Sequence, residues 1–111
     1  MTSDLERQTR VDTALTALAS RERRRLLYDL WTEDQLSMHE SATVAANGSG
    51  RDLDDLRTEL HHVHLPKLVS AGYVDHDEAT GIVTTGPNFS EIEPLLRLMS
   101  AHADELPDGW L

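Results

Sequence analysis

The sequence predicts a mainly helical α+β fold with one small β-hairpin. Three observations carry that expectation. Leucine, valine and alanine recur at spacings of three and four through residues 8–34 and again through 52–68, the period of helices that each bury one stripe. After Gly72 the period changes: Tyr73-Val74 and Ile82-Val83-Thr84-Thr85 are β-branched or aromatic, and polar residues ending in Gly81 lie between them. That pattern predicts a hairpin. Ile92, Leu95, Leu96, Leu98 and Met99 then return to a helical period.

Each element has its own signals. Leu5, Val11, Ala14, Leu15 and Leu18 give the first segment a helical period from about residue 8, and residues 1–9 are expected to fray as an N-terminal extension. Ser20 is placed to cap a second helix over residues 21–34, with Leu26, Leu27, Leu30 and Trp31 in one buried sector. Ser37-Met-His-Glu40 has the spacing of a capping box for a short helix ending at Asn47-Gly48. Asp52 is placed to cap the next helix, whose inward stripe is predicted as Leu53, Leu56, Leu60 and Val63, with His64 sharing that face as a packed histidine and Leu68 continuing it. Pro66 cannot donate to the carbonyl of His62, so a kink or break is expected there, followed by a turn closing at Gly72. Ser90 to Glu93 offers a capping box for the last helix, and residues 104–111 form an acidic tail expected to be loose unless Trp110 and Leu111 dock on a partner. Residues 10–87 thus make the main domain, and 88–103 a C-terminal helix suited to dimerisation.

Composition narrows the function. Twenty Asp and Glu face ten basic residues, of which nine are Arg and one is Lys, for a net charge of −10. Such a surface suits solubility in molar salt, where the Debye length is about 3 Å and crowded carboxylates barely repel. It argues against indiscriminate nucleic-acid binding and against a membrane-surface role. Cysteine is absent, so disulfides and thiolate metal sites are excluded and a reducing cytoplasm is expected. No apolar run approaches the ~20 residues of a membrane span, and residues 1–10 lack a signal-peptide core.

The order of elements, four helices followed by a hairpin and a helix, is the plan of a winged helix-turn-helix. The stretch from Ala17 through Arg21-Glu-Arg-Arg-Arg25 to Leu30 resembles the opening of ArsR-type regulators. The stretch Leu60-His-His-Val-His-Leu-Pro-Lys-Leu-Val-Ser-Ala-Gly-Tyr-Val74 resembles the close of their recognition helix. With its acidity, the chain resembles a haloarchaeal winged helix-turn-helix family of undefined function over about residues 12–86. That resemblance implies a cytoplasmic, homodimeric, DNA-binding transcriptional regulator that pairs through its terminal helices. Leu15, Leu18, Leu95, Leu98 and Met99 are the candidate seam.

A recognition helix over residues 52–65 would lie in the major groove. Thr58, His61 and His62 fall on its outward face and are the candidate base contacts, although Asp54, Asp55 and Glu59 are adverse there. Arg51 is placed for a backbone phosphate, and Arg57 for an internal pair. Arg21, Arg23, Arg24 and Arg25 crowd a helix N-terminus, where the macrodipole disfavours cations. Either a phosphate or carboxylates such as Asp4, Glu6 or Glu33 would offset that. Arg23 sits near the apolar sector as a structural member, while Arg21 and Arg25 face outward as ligand candidates. The hairpin tip, Asp75-His-Asp-Glu78, has no Arg or Lys. His61 and His64 have a metal-compatible spacing, but no third or fourth ligand stands at a diagnostic distance, so no metal or other cofactor is expected. No catalytic constellation is present, so the protein is not expected to be an enzyme. The expected partners are double-stranded DNA and a second copy of the chain. The rival function is a protein-interaction module on the same scaffold, favoured by the acidic helix face and the apolar residues of the tail.

Overall fold

The computed structural model describes residues 4–38 and 52–111. Its first helix, α1 (Asp4–Ala17), begins with Asp4 and Glu6 in its first turn, where carboxylates favour the positive end of the helix. The segment expected to fray is therefore helical from Asp4 onward. Helix α2 (Arg21–Glu33) starts as its cap predicts: Ser20 is extended, and its hydroxyl accepts the amide of Arg23 at 3.3 Å. It ends at Asp34, which adopts φ +69° while its amide donates to Leu30 at 2.8 Å.

Strand β1 (Gln35–Ser37) follows. Three residues are too short a run to show a period of two, so no strand is legible there from the sequence alone. Ser37, read from sequence as the opening of a helix, pairs with Ile82 at the end of this strand. The rest of the expected short helix, to Asn47, lies outside the described residues.

Helix α3 is continuous over residues 53–70, in three parts: an α-helical Leu53–Glu59, a π-helical turn Leu60–His64 and an α-helical Leu65–Ser70. Asp52 caps it, accepting the amide of Asp54 at 2.8 Å. Pro66 does not end the helix as a break would. Instead the amide of Leu65 donates to Leu60, five residues back, so the ladder is widened just before the residue that has no amide to give. The widened turn holds one extra residue, and this moves the inward register by one position. Val63, expected on the buried stripe, is 43% exposed, while His64, expected on the same face, is buried at 5%. Leu56, Leu60, Leu65 and Leu68 are buried along that shifted stripe.

The end of α3 is a Schellman closure. Tyr73 donates to Leu68 and Gly72 to Val69, each at 3.0 Å, with Gly72 at φ +81°. Strands β2 (Val74–Asp77) and β3 (Ile82–Thr85) form the expected hairpin, with Val74 opposite Thr85 and Asp77 opposite Ile82. Strand β1 adds to the far side of β3, so the antiparallel sheet has the order β1-β3-β2. Helix α4 (Phe89–Ala101) begins before Ser90, so the Ser90–Glu93 capping box does not form. Asn88 stands at the cap position and spends its side chain on the carbonyl of Ala71 at 3.1 Å. The tail is not loose: a 3₁₀ turn, Ala103–Glu105, leads to Trp110, whose ring packs edge-on against Tyr28 and whose carbonyl accepts Arg24 at 2.6 Å.

One core unites these elements. Leu26, Leu27 and Leu30 of α2 meet Leu60, Leu65 and Leu68 of α3, Val74 and Val83 of the sheet, and Ile92 and Leu96 of α4. Trp31 is only half-buried at its edge. Each large aliphatic group buried there contributes roughly 1.5–3 kcal/mol. The fold is thus mostly helical with a small three-stranded antiparallel sheet. Among the described residues no helix is long and apolar enough to cross a membrane.

Gly86 sits where the chain leaves the sheet beneath the Schellman turn. A Cβ on it would lie 2.5 Å from the carbonyl oxygen of Gly72 and 2.8 Å from the amide nitrogen of Val74. Neither backbone atom can swing aside. Gly86→Ala is expected to lower stability by about 1–3 kcal/mol, read as a shift of the chemical denaturation midpoint.

Candidate nucleic-acid interface

Arg23 and His64 hold α3 in place. The Arg23 guanidinium is buried and donates three ways: to the carbonyls of Ala17 (2.9 Å) and Thr16 (3.0 Å) at the end of α1, and to Nδ1 of His64 (3.0 Å). Arginine cannot accept, so His64 Nδ1 offers a lone pair and the neutral ring carries its proton on Nε2. That nitrogen lies 2.7 Å from Glu59 and donates to it. One hydrogen-bonded chain therefore runs from α1 through α2 into the π turn of α3. Burial lowers the Arg23 pKa, with Glu22 opposing. Burial also works against the charge on Glu22, but hydrogen bonds from its own backbone amide and the Ser20 hydroxyl favour the charge, and its pKa is held below the usual range. Ionised Glu22 thus stabilises the fold at neutral pH, and the contribution is lost as pH falls through its lowered folded-state pKa.

Glu22, Glu59 and His64 each bring a potential ligand atom within 4.8 Å of the other two, which raises the question of a metal. The hydrogen bonding answers it. With Arg23 donating to Nδ1, a cation on Nε2 would displace the last ring proton and require an imidazolate. The trio fits a proton-bridged brace better than a metal centre.

The structure separates the predicted contact residues. Thr58, His61 and His62 are all exposed on α3, as expected. His61 turns toward the hairpin, its ring centroid 5.7 Å from that of His76 on β2. His62 turns the other way, into a groove beside α1. Arg25 pairs with Asp29 at 3.3 Å, with its side chain still 34% exposed. Arg24 donates to the carbonyls of Leu18 and Trp110. The cluster is therefore offset from within, as one of the two alternatives held, but chiefly by backbone carbonyls and Asp29 instead of Asp4, Glu6 or Glu33. Arg21 is the member of the cluster with no partner among the described residues. Arg57 lies near Asp54 at 3.8 Å, in line with its expected internal role. Arg51 lies outside the described residues.

The candidate dimer seam divides as well. Leu18 is buried in the chain's own core, and Leu95 and Met99 pack against that core while remaining partly exposed. Leu15 and Leu98 are 53% and 57% exposed, with Val11 at 55% beside Leu15 on α1. Arg10 and Glu91, 3.9 Å apart, tie α1 to α4.

Sequence reasoning found Arg23 as structural through its place on the wheel of α2. His64 was expected on the inward face and is buried there, but no local signal links it to Arg23, which lies forty-one residues away. Replacing Arg23 with Met would leave two carbonyls and the Nδ1 of His64 without donors. Arg23→Met is expected to cost about 3 kcal/mol or more, measured by equilibrium urea unfolding.

Comparison with known proteins gives one family match. Residues 15–84 match a model described as a domain of unknown function, DUF7344. No curated protein and no solved structure matches the chain. The matched segment runs from the second half of α1 to β3 and includes the Arg23–His64 brace, and on that match the chain belongs to the DUF7344 family.

Proposed function

We propose that this protein is a salt-adapted transcriptional regulator of the winged helix-turn-helix type, binding double-stranded DNA as a homodimer. The observation that carries this reading is the pairing of α3 with the hairpin. A helix pinned from behind by Arg23 presents Thr58 and His61 to solvent, and His61 stands against His76 on β2. Helix and strand pair thus form one rigid, polar surface, the shape a major groove accepts. Leu15 and Leu98 supply an apolar strip on the terminal helices for a two-fold partner.

The rival reading, a protein-interaction module, is favoured by one observation. Asp54, Asp55, Asp75, Asp77 and Glu78 are exposed on α3 and the hairpin, and most of the α2 arginines are engaged internally. Such a surface repels phosphate unless salt screens it. The DNA reading is therefore tied to high ionic strength. An acidic protein that neutralises few phosphates releases few of the cations condensed on DNA, and cations taken up with its carboxylates flatten the salt slope further.

Labelled duplexes selected from the host genome, titrated by fluorescence anisotropy from about 0.5 to about 3 M KCl, are expected to show specific binding with a shallow salt slope. Thr58→Asp is expected to weaken that binding by about tenfold or more, the loss of roughly 1–3 kcal/mol carried by one base contact. No specific binding at any salt, together with a stoichiometric protein partner on purification from the host, would favour the rival. Separately, Leu15→Glu with Leu98→Glu is expected to convert a dimer to a folded monomer in sedimentation equilibrium. An unchanged mass would remove the terminal-helix seam.

A further inference from the structure

An open groove of about 970 Å³ runs between α1 and the second half of α3. That volume lies in the range of small-molecule sites. One wall carries His62, Val63, Pro66, Lys67 and Ser70 of α3, and the other carries Thr9, Thr13 and Thr16 of α1. Lys67 is the single lysine of the chain, and carboxylates outnumber cations twofold in the sequence. Even so, it has no ion-pair or hydrogen-bond partner among the described residues. The second cation on the lining, Arg10, is taken by Glu91. The threonine wall is polar in a particular sense. Thr9 and Thr13 donate their hydroxyl protons back to Leu5 (2.9 Å) and to the carbonyl of Thr9 (2.8 Å), so only lone pairs remain for an occupant. Val63 and Pro66 supply apolar surface between the walls.

From this arrangement we infer that the groove is a binding site for a small organic monoanion, a carboxylate on a short apolar or hydroxylated body, with Lys67 as its counter-ion. One unpaired ammonium matches one negative charge. Asp12 and Glu91, also on the lining, oppose a polyphosphate or a nucleotide. The apolar contact comes from Val63, turned outward by the π turn, and the threonine oxygens accept from hydroxyls on the body. An occupant would touch α1 and α3 together, beside the carbonyl of Thr16 that holds Arg23.

The test uses the free, full chain and benzoate as probe, with benzamide as its neutral counterpart, followed by amide chemical shifts in nitrogen-15-labelled protein at constant ionic strength. Saturable shifts at Thr13, Thr16, Val63, Lys67 and Ser70 are expected, with a Kd of about 1 mM or tighter. Benzamide is expected to bind about tenfold more weakly. Lys67→Gln, a change at an exposed position with no partner among the described residues, should leave the spectrum folded and make the two probes equal. Absence of saturation, shifts confined to other surfaces, or a benzoate preference that survives Lys67→Gln would each overturn the inference. The readout needs no DNA, so its failure is distinct from failure of the regulator reading.

Discussion

The contact on which the architecture depends is the hydrogen bond from Arg23 to His64. A buried guanidinium is costly to desolvate, and it is tolerated because all three of its directions are occupied: two carbonyls at the end of α1 and one imidazole on α3. The same geometry fixes the tautomer of His64 and so sends its remaining proton to Glu59. Three helices are thereby registered against one another by directional bonds. Leucine packing alone leaves more freedom, since hydrophobic burial is not directional.

The π turn is the backbone counterpart of that brace. It spreads the absent Pro66 amide over a widened turn and turns Val63 off the inward face while His64 stays on it. It also sets how the histidines diverge: His64 faces Arg23, His61 the hairpin and His62 the groove beside α1. A single inserted position thus gives the helix a structural face, a hairpin-facing edge and a groove-facing edge. π turns often mark functional positions in helices, and here the turn lies midway between the two proposed binding surfaces.

Electrostatics follow the same economy. Against a net charge of −10, the described arginines are largely committed: Arg23 to the core, Arg24 to the tail, Arg25 to Asp29, Arg10 to Glu91 and Arg97 to Glu93. Arginine suits these roles because its planar fork satisfies several acceptors at once. Arg21 and Lys67 are left as uncommitted cations among the described residues. That scarcity explains why any anion recognition by this surface would be local and selective.

The sequence by itself determined the class of fold and most element boundaries. Ser20 and Asp52 are caps whatever the rest of the chain does, because an extended residue with a short side-chain acceptor satisfies the first free amides locally. The hairpin and the Gly72 closure were legible for the same reason: local backbone chemistry dictates them. Thr58, His61 and His62 were correctly placed outside, since their face of α3 is polar throughout. What only the tertiary structure decided was non-local. Strand β1 exists because β3 offers it a free edge. Leu18 was claimed by the core, with Leu95 and Met99 packed against it, because α1, α2 and α4 converge there. Val63 left the inward stripe while His64 kept its place there, bonded to Arg23, forty-one residues away in sequence. No period or propensity within α3 carries that information, for the requirement comes from another helix.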